Sequence, residues 1–298
     1  MKFGICLPIR RDASLDFNLK LGTAAEKMGF DSVWASDHVV IPEKVSGSFT
    51  RLFYDPVVTL AAIASCTKSI MVGTSVIILP YRNPVVLAKS LSTLDNFSDG
   101  RLVFGVAAGW LEPEFDALGV PFEKRSDLTD EYLGIITELW KSQNPEYSGQ
   151  FFTFKEIKFE PKPVQKPRPR IWIGGNSGKV LKRAVRYGDC WHPTWLHPGQ
   201  VSERIEQIRS IARDEGRDLS DFTFSVRNRI DLRKGALASA GGNGMFVFSG
   251  SADNIRKQVE QYMNAGVSYI VFDPEANSDD ENMEVAEMIS MKIIEYYR

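Results

Sequence analysis

Apolar and polar positions along this chain follow two rhythms. Short, nearly unbroken apolar runs are followed by longer stretches in which apolar residues recur every three or four positions. The first rhythm fits a strand covered on both faces, and the second fits a helix with one buried side. Strand-like runs fall at 2–7, 32–35, 70–79, 102–106, 170–173, 189–192, 222–230 and 267–272. Helical stretches fall between them: 14–28, 55–67, 84–99, 125–141, 179–187, 199–215, 251–265 and about 279–296. In the third of these Leu87, Leu91 and Leu94 share one face, and in the fourth Leu128, Leu133, Ile136 and Leu139 do the same. Punctuation agrees with the periodicity: Ser14 and Ser251 suit N-caps, Gly29 a helix end, and Asp55-Pro56 a helix start with proline in its first turn.

Eight strands alternating with helices predict a closed (β/α)8 TIM barrel over residues 1–298, taken as one domain. An open doubly wound sheet is the alternative, but no GxGxxG follows the first strand. Three segments interrupt the alternation and are expected as insertions, at about 39–53, 145–169 and 231–250. In the second, Tyr147-Ser148-Gly149-Gln150 separates two short strand candidates before a proline-rich stretch, PKPVQKPRP. The third, rich in glycine, alanine and serine, is expected as a loop.

Composition adds mainly exclusions. The chain has 298 residues, 43% hydrophobic and 25% charged, which is ordinary globular material. A formal charge of −2 gives no reason to expect nucleic acid or an anionic membrane as partner. No apolar run approaches the ~20 residues a bilayer requires, and MKFGICLPI reads as a first strand rather than a leader. Cys6, Cys66 and Cys190 form neither a disulfide framework nor a zinc motif, so a cytoplasmic location is expected. His192 and His197 do not have metal-ligand spacing, and no metal site is expected.

In a barrel of this kind chemistry collects where strands end. The second strand ends in Trp34-Ala35-Ser36-Asp37-His38, which sets an imidazole suited to proton transfer beside a carboxylate; alternatively the pair caps or packs the loop. The third ends in Thr74-Ser75-Val76, by itself a buried β-branched strand. The fourth ends in Gly105-Val106-Ala107-Ala108-Gly109-Trp110, whose small side chains let a flat ligand approach the backbone. Glu112 and Glu114 follow and suit the opening of a helix. The fifth ends in Gly174-Gly175-Asn176-Ser177-Gly178-Lys179, where glycines and a new helix N-terminus could take an anion. Lys179, Lys182 and Arg183 add basic charge there, or simply form a solvated face.

The wording of residues 69–110, SIMVGTSVIILPYRNPVVLAKSLSTLDNFSDGRLVFGVAAGW, together with GGNS before RA and GDCW, resembles the luciferase-like monooxygenase superfamily. Within it the chain is most similar to the branch that uses the deazaflavin coenzyme F420. The resemblance implies that Asp37 and His38 line the cofactor ring and are the catalytic candidates. It implies a cis peptide between Ser75 and Val76 behind that ring. Ala107 and Gly109 are implied to border the ring, and Gly174, Gly175, Asn176 and Ser177 to hold the cofactor phosphate. The implied activity is hydride transfer between F420 and a small organic substrate. An FMN-dependent monooxygenase is the rival, and a non-catalytic flavin or deazaflavin binder a second alternative. A homodimer is also implied. Three departures stand out: relatives commonly have glycine where Ala107 and Cys190 stand, and some sugar dehydrogenases have a glutamate where Trp110 stands.

Overall fold

The computed structural model describes residues 1–9, 14–43, 52–231, 244–274, 276 and 278–298. From the N-terminus, strand β1 (Lys2–Cys6) leads to helix α1 (Leu15–Lys27), and β2 (Ser32–Ala35) leads to α2 (Pro56–Cys66). Strand β3 (Met71–Thr74) leads to a short β4 (Ile77–Ile78) and then α3 (Pro84–Phe97). Next come β5 (Leu102–Ala107), the short α4 (Glu112–Ala117) and the long α5 (Arg125–Lys141). A hairpin of β6 (Tyr147–Ser148) and β7 (Thr153–Phe154) precedes β8 (Arg170–Gly174), α6 (Gly178–Tyr187), β9 (Cys190–His192) and α7 (Pro198–Asp214). Then follow β10 (Thr223–Asp231), β11 (Val247–Ser249), α8 (Ala252–Asn264), β12 (Tyr269–Pro274) and α9 (Asp279–Ile289).

The helix starts form as their side chains dictate. Ser14 accepts from the Phe17 N–H at 3.0 Å, and Asp55 from those of Val57 and Val58 at 2.9 and 3.1 Å. Asn83 does the same for Val85 and Val86 ahead of Pro84. Each satisfies backbone donors that the first helical turn leaves open.

Eight strands close in the order β1, β2, β3, β5, β8, β9, β10, β12, all parallel, with β12 returning to β1. The result is the expected (β/α)8 barrel. Its outer wall packs against the helices through residues such as Leu21, Leu60, Leu91, Ile136, Ile208 and Val259. Its lumen is filled toward the strand N-termini by Cys6, Trp34, Val103, Trp172, Cys190, Tyr269 and Val271. Trp34 and Trp172 meet at 4.7 Å between ring centroids, and Tyr269 stands edge-on to both. The barrel's cavity opens at the C-terminal mouth.

Four local expectations need correction. The 70–79 run is two strands, because Ser75 and Val76 break it and β4 then pairs with β5 rather than continuing β3. Within 231–250, Asp231 completes β10, and Val247–Ser249 is a strand paired parallel to Arg229–Asp231; residues 232–243 lie outside those described, as do 44–51 of the first insertion. Tyr147 and Ser148 are themselves the first strand of the hairpin, because the Gly149 N–H closes the turn on the Phe152 carbonyl. The final helix is regular only to Ile289 and continues to Tyr297 as π and 3-10 turns.

Candidate active site

A cavity of about 510 Å³ opens at the C-terminal mouth of the barrel, a size suited to a small-molecule ligand. All ten cofactor-binding candidates from the sequence border it: Asp37, His38, Ser75, Val76, Ala107, Gly109, Gly174, Gly175, Asn176 and Ser177. They end or follow β2, β3, β5 and β8, which are four consecutive barrel strands. Parallel pairing therefore brings residues up to 140 positions apart onto one half of the mouth.

Glycine is required where the backbones crowd. A Cβ on Gly105 would run into the Thr74 carbonyl, and one on Gly174 would meet Val76 Cγ1 at 2.9 Å. Gly109 and Gly175 have φ of +82° and +112°, which side chains rarely adopt. The Ser75–Val76 peptide is cis.

Asp37 and His38 are held by different partners. The Asp37 carboxylate is buried and engaged twice by Arg82, once at 2.9 Å, while the Ile78 N–H donates to it at 3.0 Å. Burial would lower the Arg82 pKa, but the charge and hydrogen bonds of Asp37 raise it above its ordinary value. His38 Nδ1 lies 2.7 Å from Glu114 Oε2, and the ring stands edge-on to Phe53. Glu114 also accepts from the Val39 and Val40 N–H groups at 2.7 and 3.2 Å and from the Tyr81 hydroxyl at 3.0 Å. Burial alone would raise the Glu114 pKa; its bonds from His38 and the two backbone amides outweigh that and hold it below the usual value. Adjacent Tyr81 and Arg82 thus secure adjacent His38 and Asp37, one through Glu114 and the other directly.

A second histidine forms part of the floor. His192 Nε2 lies 2.9 Å from Ser75 Oγ, and Nδ1 lies 2.7 Å from Ser225 Oγ. Trp34 stacks on its ring. Complete burial, with Arg227 nearby, pushes the His192 pKa down to about 3. Arg227 itself donates to the Ser75 carbonyl, to Ser36 Oγ at 2.9 Å and to Asp273 Oδ2 at 2.7 Å.

At the α6 end, Ser177 is the N-cap but makes no side-chain cap bond. Asn176 Nδ2 donates to the Thr194 carbonyl at 3.2 Å, while its buried Oδ1 has no partner among the described residues. Lys179 and Arg125 border the cavity; Lys182 does not. Arg183 borders it but is committed to Asp130 at 2.6 Å and to the Ser126 carbonyl at 3.0 Å.

Sequence reasoning missed Arg82, Glu114, Arg125, His192 and Arg227 as parts of the site. Arg82 had a signal, since it lies inside the Pro80–Pro84 turn. Glu114 and Glu112 look alike in sequence, yet Glu114 is 0% exposed and Glu112 faces solvent. Trp110 borders the cavity as an apolar wall with Phe53, Ile9 and Trp195. Cys190 lies in β9, within the strand run expected at 189–192, and is buried in the lumen, where burial raises its thiol pKa.

None of the described helices is long and apolar enough to cross a membrane. The chain is 27% identical over 210 residues to an FMNH(2)-dependent dimethylsulfone monooxygenase of Pseudomonas putida, covering 70% of this chain. It spans only 56% of that relative's length. The structure is similar to monooxygenase RslO1 from Streptomyces bottropensis, with a TM-score of 0.85 and 20% identity over 100% of both chains. It is also similar to an F420-dependent secondary alcohol dehydrogenase in complex with an F420-acetone adduct, with a TM-score of 0.82 and 19% identity over 98% of each chain. At such identities these two likenesses speak for the fold. A family model described as luciferase-like monooxygenase matches residues 1–235, and the chain belongs to that family.

Proposed function

We propose that the chain is an oxidoreductase that transfers a hydride between coenzyme F420 and a small organic substrate. The observation that carries this reading is one cavity bordered by His38, by the apolar side chains of Phe53 and Trp110, and by the glycine-rich turn before α6 with Lys179. The deazaflavin would supply the hydride-carrying carbon and pass electrons only in pairs. Ala107 and Ala108 border the cavity with small side chains, which suits a flat ring against the backbone. Gly175, Ser177 and the uncapped first turn of α6 suit a phosphate. Lys179 and Arg125 add the positive charge that a long, anionic tail favours, and Asn176 Oδ1 offers an unused acceptor.

In this reading the apolar walls exclude water and hold the substrate over the ring. His38 takes or gives the proton at the substrate's heteroatom while hydride moves at the adjacent carbon. Asp37 has both oxygens engaged by Arg82, so its role is to fix the loop that carries His38. A cytoplasmic homodimer built from one barrel domain over residues 1–298 belongs to the same proposal.

The second reading, an FMN-dependent monooxygenase, is favoured by the FMNH(2)-dependent relative from Pseudomonas putida. Equilibrium titration of the purified chain with F420 and with FMN at equal ionic strength, read by ring fluorescence, separates the two. Tighter F420 binding supports the first reading. Tighter FMN binding, with oxygen consumed once the flavin is reduced, supports the second. Tight binding of either with no turnover by any electron donor or acceptor would leave a non-catalytic binder.

A further inference from the structure

We infer that Glu114 is the positioning residue for His38: its buried carboxylate holds the imidazole proton on Nδ1 and so makes Nε2 the nitrogen that exchanges protons with the substrate. The inference rests on the reading above, in which His38 carries the proton that accompanies hydride transfer.

The geometry supports it bond by bond. Glu114 is 0% exposed and its two oxygens face four donors or potential donors. Oε1 receives the Val39 and Val40 N–H groups at 2.7 and 3.2 Å. Oε2 receives the Tyr81 hydroxyl at 3.0 Å and lies 2.7 Å from His38 Nδ1. Backbone N–H groups can only donate. Burial and the Glu114 charge both raise the Tyr81 pKa, so this phenol also stays a donor. The bonds from His38, Val39 and Val40 keep Glu114 below its ordinary pKa and therefore ionised at neutral pH. An ionised carboxylate only accepts. The Nδ1 facing it must carry a hydrogen, and a neutral imidazole has only one, so Nε2 presents a lone pair. When Nε2 gains a proton, the same carboxylate stabilises the imidazolium.

Among the described residues, the nearby acidic groups are committed elsewhere. Asp37 is next in sequence but is bound by Arg82 and the Ile78 N–H. Asp55, near the same loop, pairs with Arg82 at 3.0 Å. Phe53 meets the imidazole ring edge-on and carries no polar group.

A purely structural role for Glu114, fastening residues 38–40 to α4, is distinguishable. In Glu114→Gln the side-chain oxygen can still accept from Val39 and Val40, so the fastening survives. The new NH2 group, however, donates toward Nδ1 and forces the His38 proton onto Nε2. The chain has three histidines, which makes the readout clean. Nitrogen NMR of the intact, histidine-labelled protein without cofactor reports which ring nitrogen is protonated, with His38 assigned by the signal lost in His38→Gln. The expected result is Nδ1–H in the wild type and Nε2–H in Glu114→Gln. Turnover with F420 should show kcat lower by about a hundredfold and KM little changed. A wild-type His38 protonated on Nε2 overturns the inference, as does a Glu114→Gln protein with the wild-type tautomer or full turnover. If Glu114→Gln does not fold, the wild-type spectrum decides alone. Failure of F420 to bind while the tautomers come out as expected would remove the functional reading and leave the positioning of His38 intact.

Discussion

Two histidines border the same cavity in opposite surroundings. His38 faces a carboxylate on Glu114, whereas His192 sits between the hydroxyls of Ser75 and Ser225 with the Arg227 guanidinium close by. Burial and the nearby guanidinium make the His192 neighbourhood resist an added proton. Proximity to a cavity therefore does not by itself make a histidine a proton carrier, and His192, held between two serines, belongs to the floor of the site. Under the proposed function His38 belongs to the wall that does chemistry.

The floor should be the costlier part to disturb. Asp273→Ala would leave Arg227 buried without its carboxylate partner, and breaking such a pair typically costs about 3–5 kcal/mol. Urea unfolding at pH 7 measures this, and a loss below about 1 kcal/mol would mean that the serine contacts alone satisfy the guanidinium.

The next effect concerns pH. The folded pKa of His192 is pushed from its ordinary 6.5 down to about 3, so the unfolded chain takes up this proton first as the medium is acidified. The stability contributed by neutral His192 is therefore fully present above about pH 6.5 and is lost as the pH falls toward 3. One proton gives a slope of about 1.4 kcal/mol per pH unit. Unfolding curves between pH 6.5 and 4 should lose about that slope in His192→Gln, and an unchanged slope would assign it to other groups.

The smallest stability effect belongs to the wall. His38→Gln keeps a polar side chain opposite Glu114 and should alter stability by less than about 1 kcal/mol. Its turnover, by contrast, should fall by about 10²–10⁴-fold. Equal damage to stability from His38→Gln and His192→Gln would erase the distinction between wall and floor.

The sequence made the barrel legible because its strands are buried on both faces and its helices on one, so each kind carries its own period. The break at Ser75–Val76 was legible only through family resemblance; the apolar run 70–79 conceals it. The glycine positions at strand ends could be read as close approaches because few other residues tolerate those backbones. The polar links of the site were not legible. His38 and Glu114 lie 76 positions apart, and Ser75 and His192 lie 117 apart. Such pairs are created by barrel closure, and nothing in the spacing of a single chain marks them. Glu114 in particular reads as one of two helix-opening carboxylates until burial separates it from Glu112. Arg82 shows the intermediate case, where a turn was recognised but its side chain's partner, Asp37 in the loop after β2, was not.

The central claim is that the His38 wall and the α6 N-terminus belong to one cofactor site. Mapping F420 binding by NMR on the labelled, intact protein tests it most directly. The account predicts that one saturating transition shifts the His38 ring signals and the backbone amides of Gly175, Ser177 and Lys179 together, at a single Kd. Saturable F420 binding that leaves both groups of signals unmoved, or moves only one of them, would contradict it.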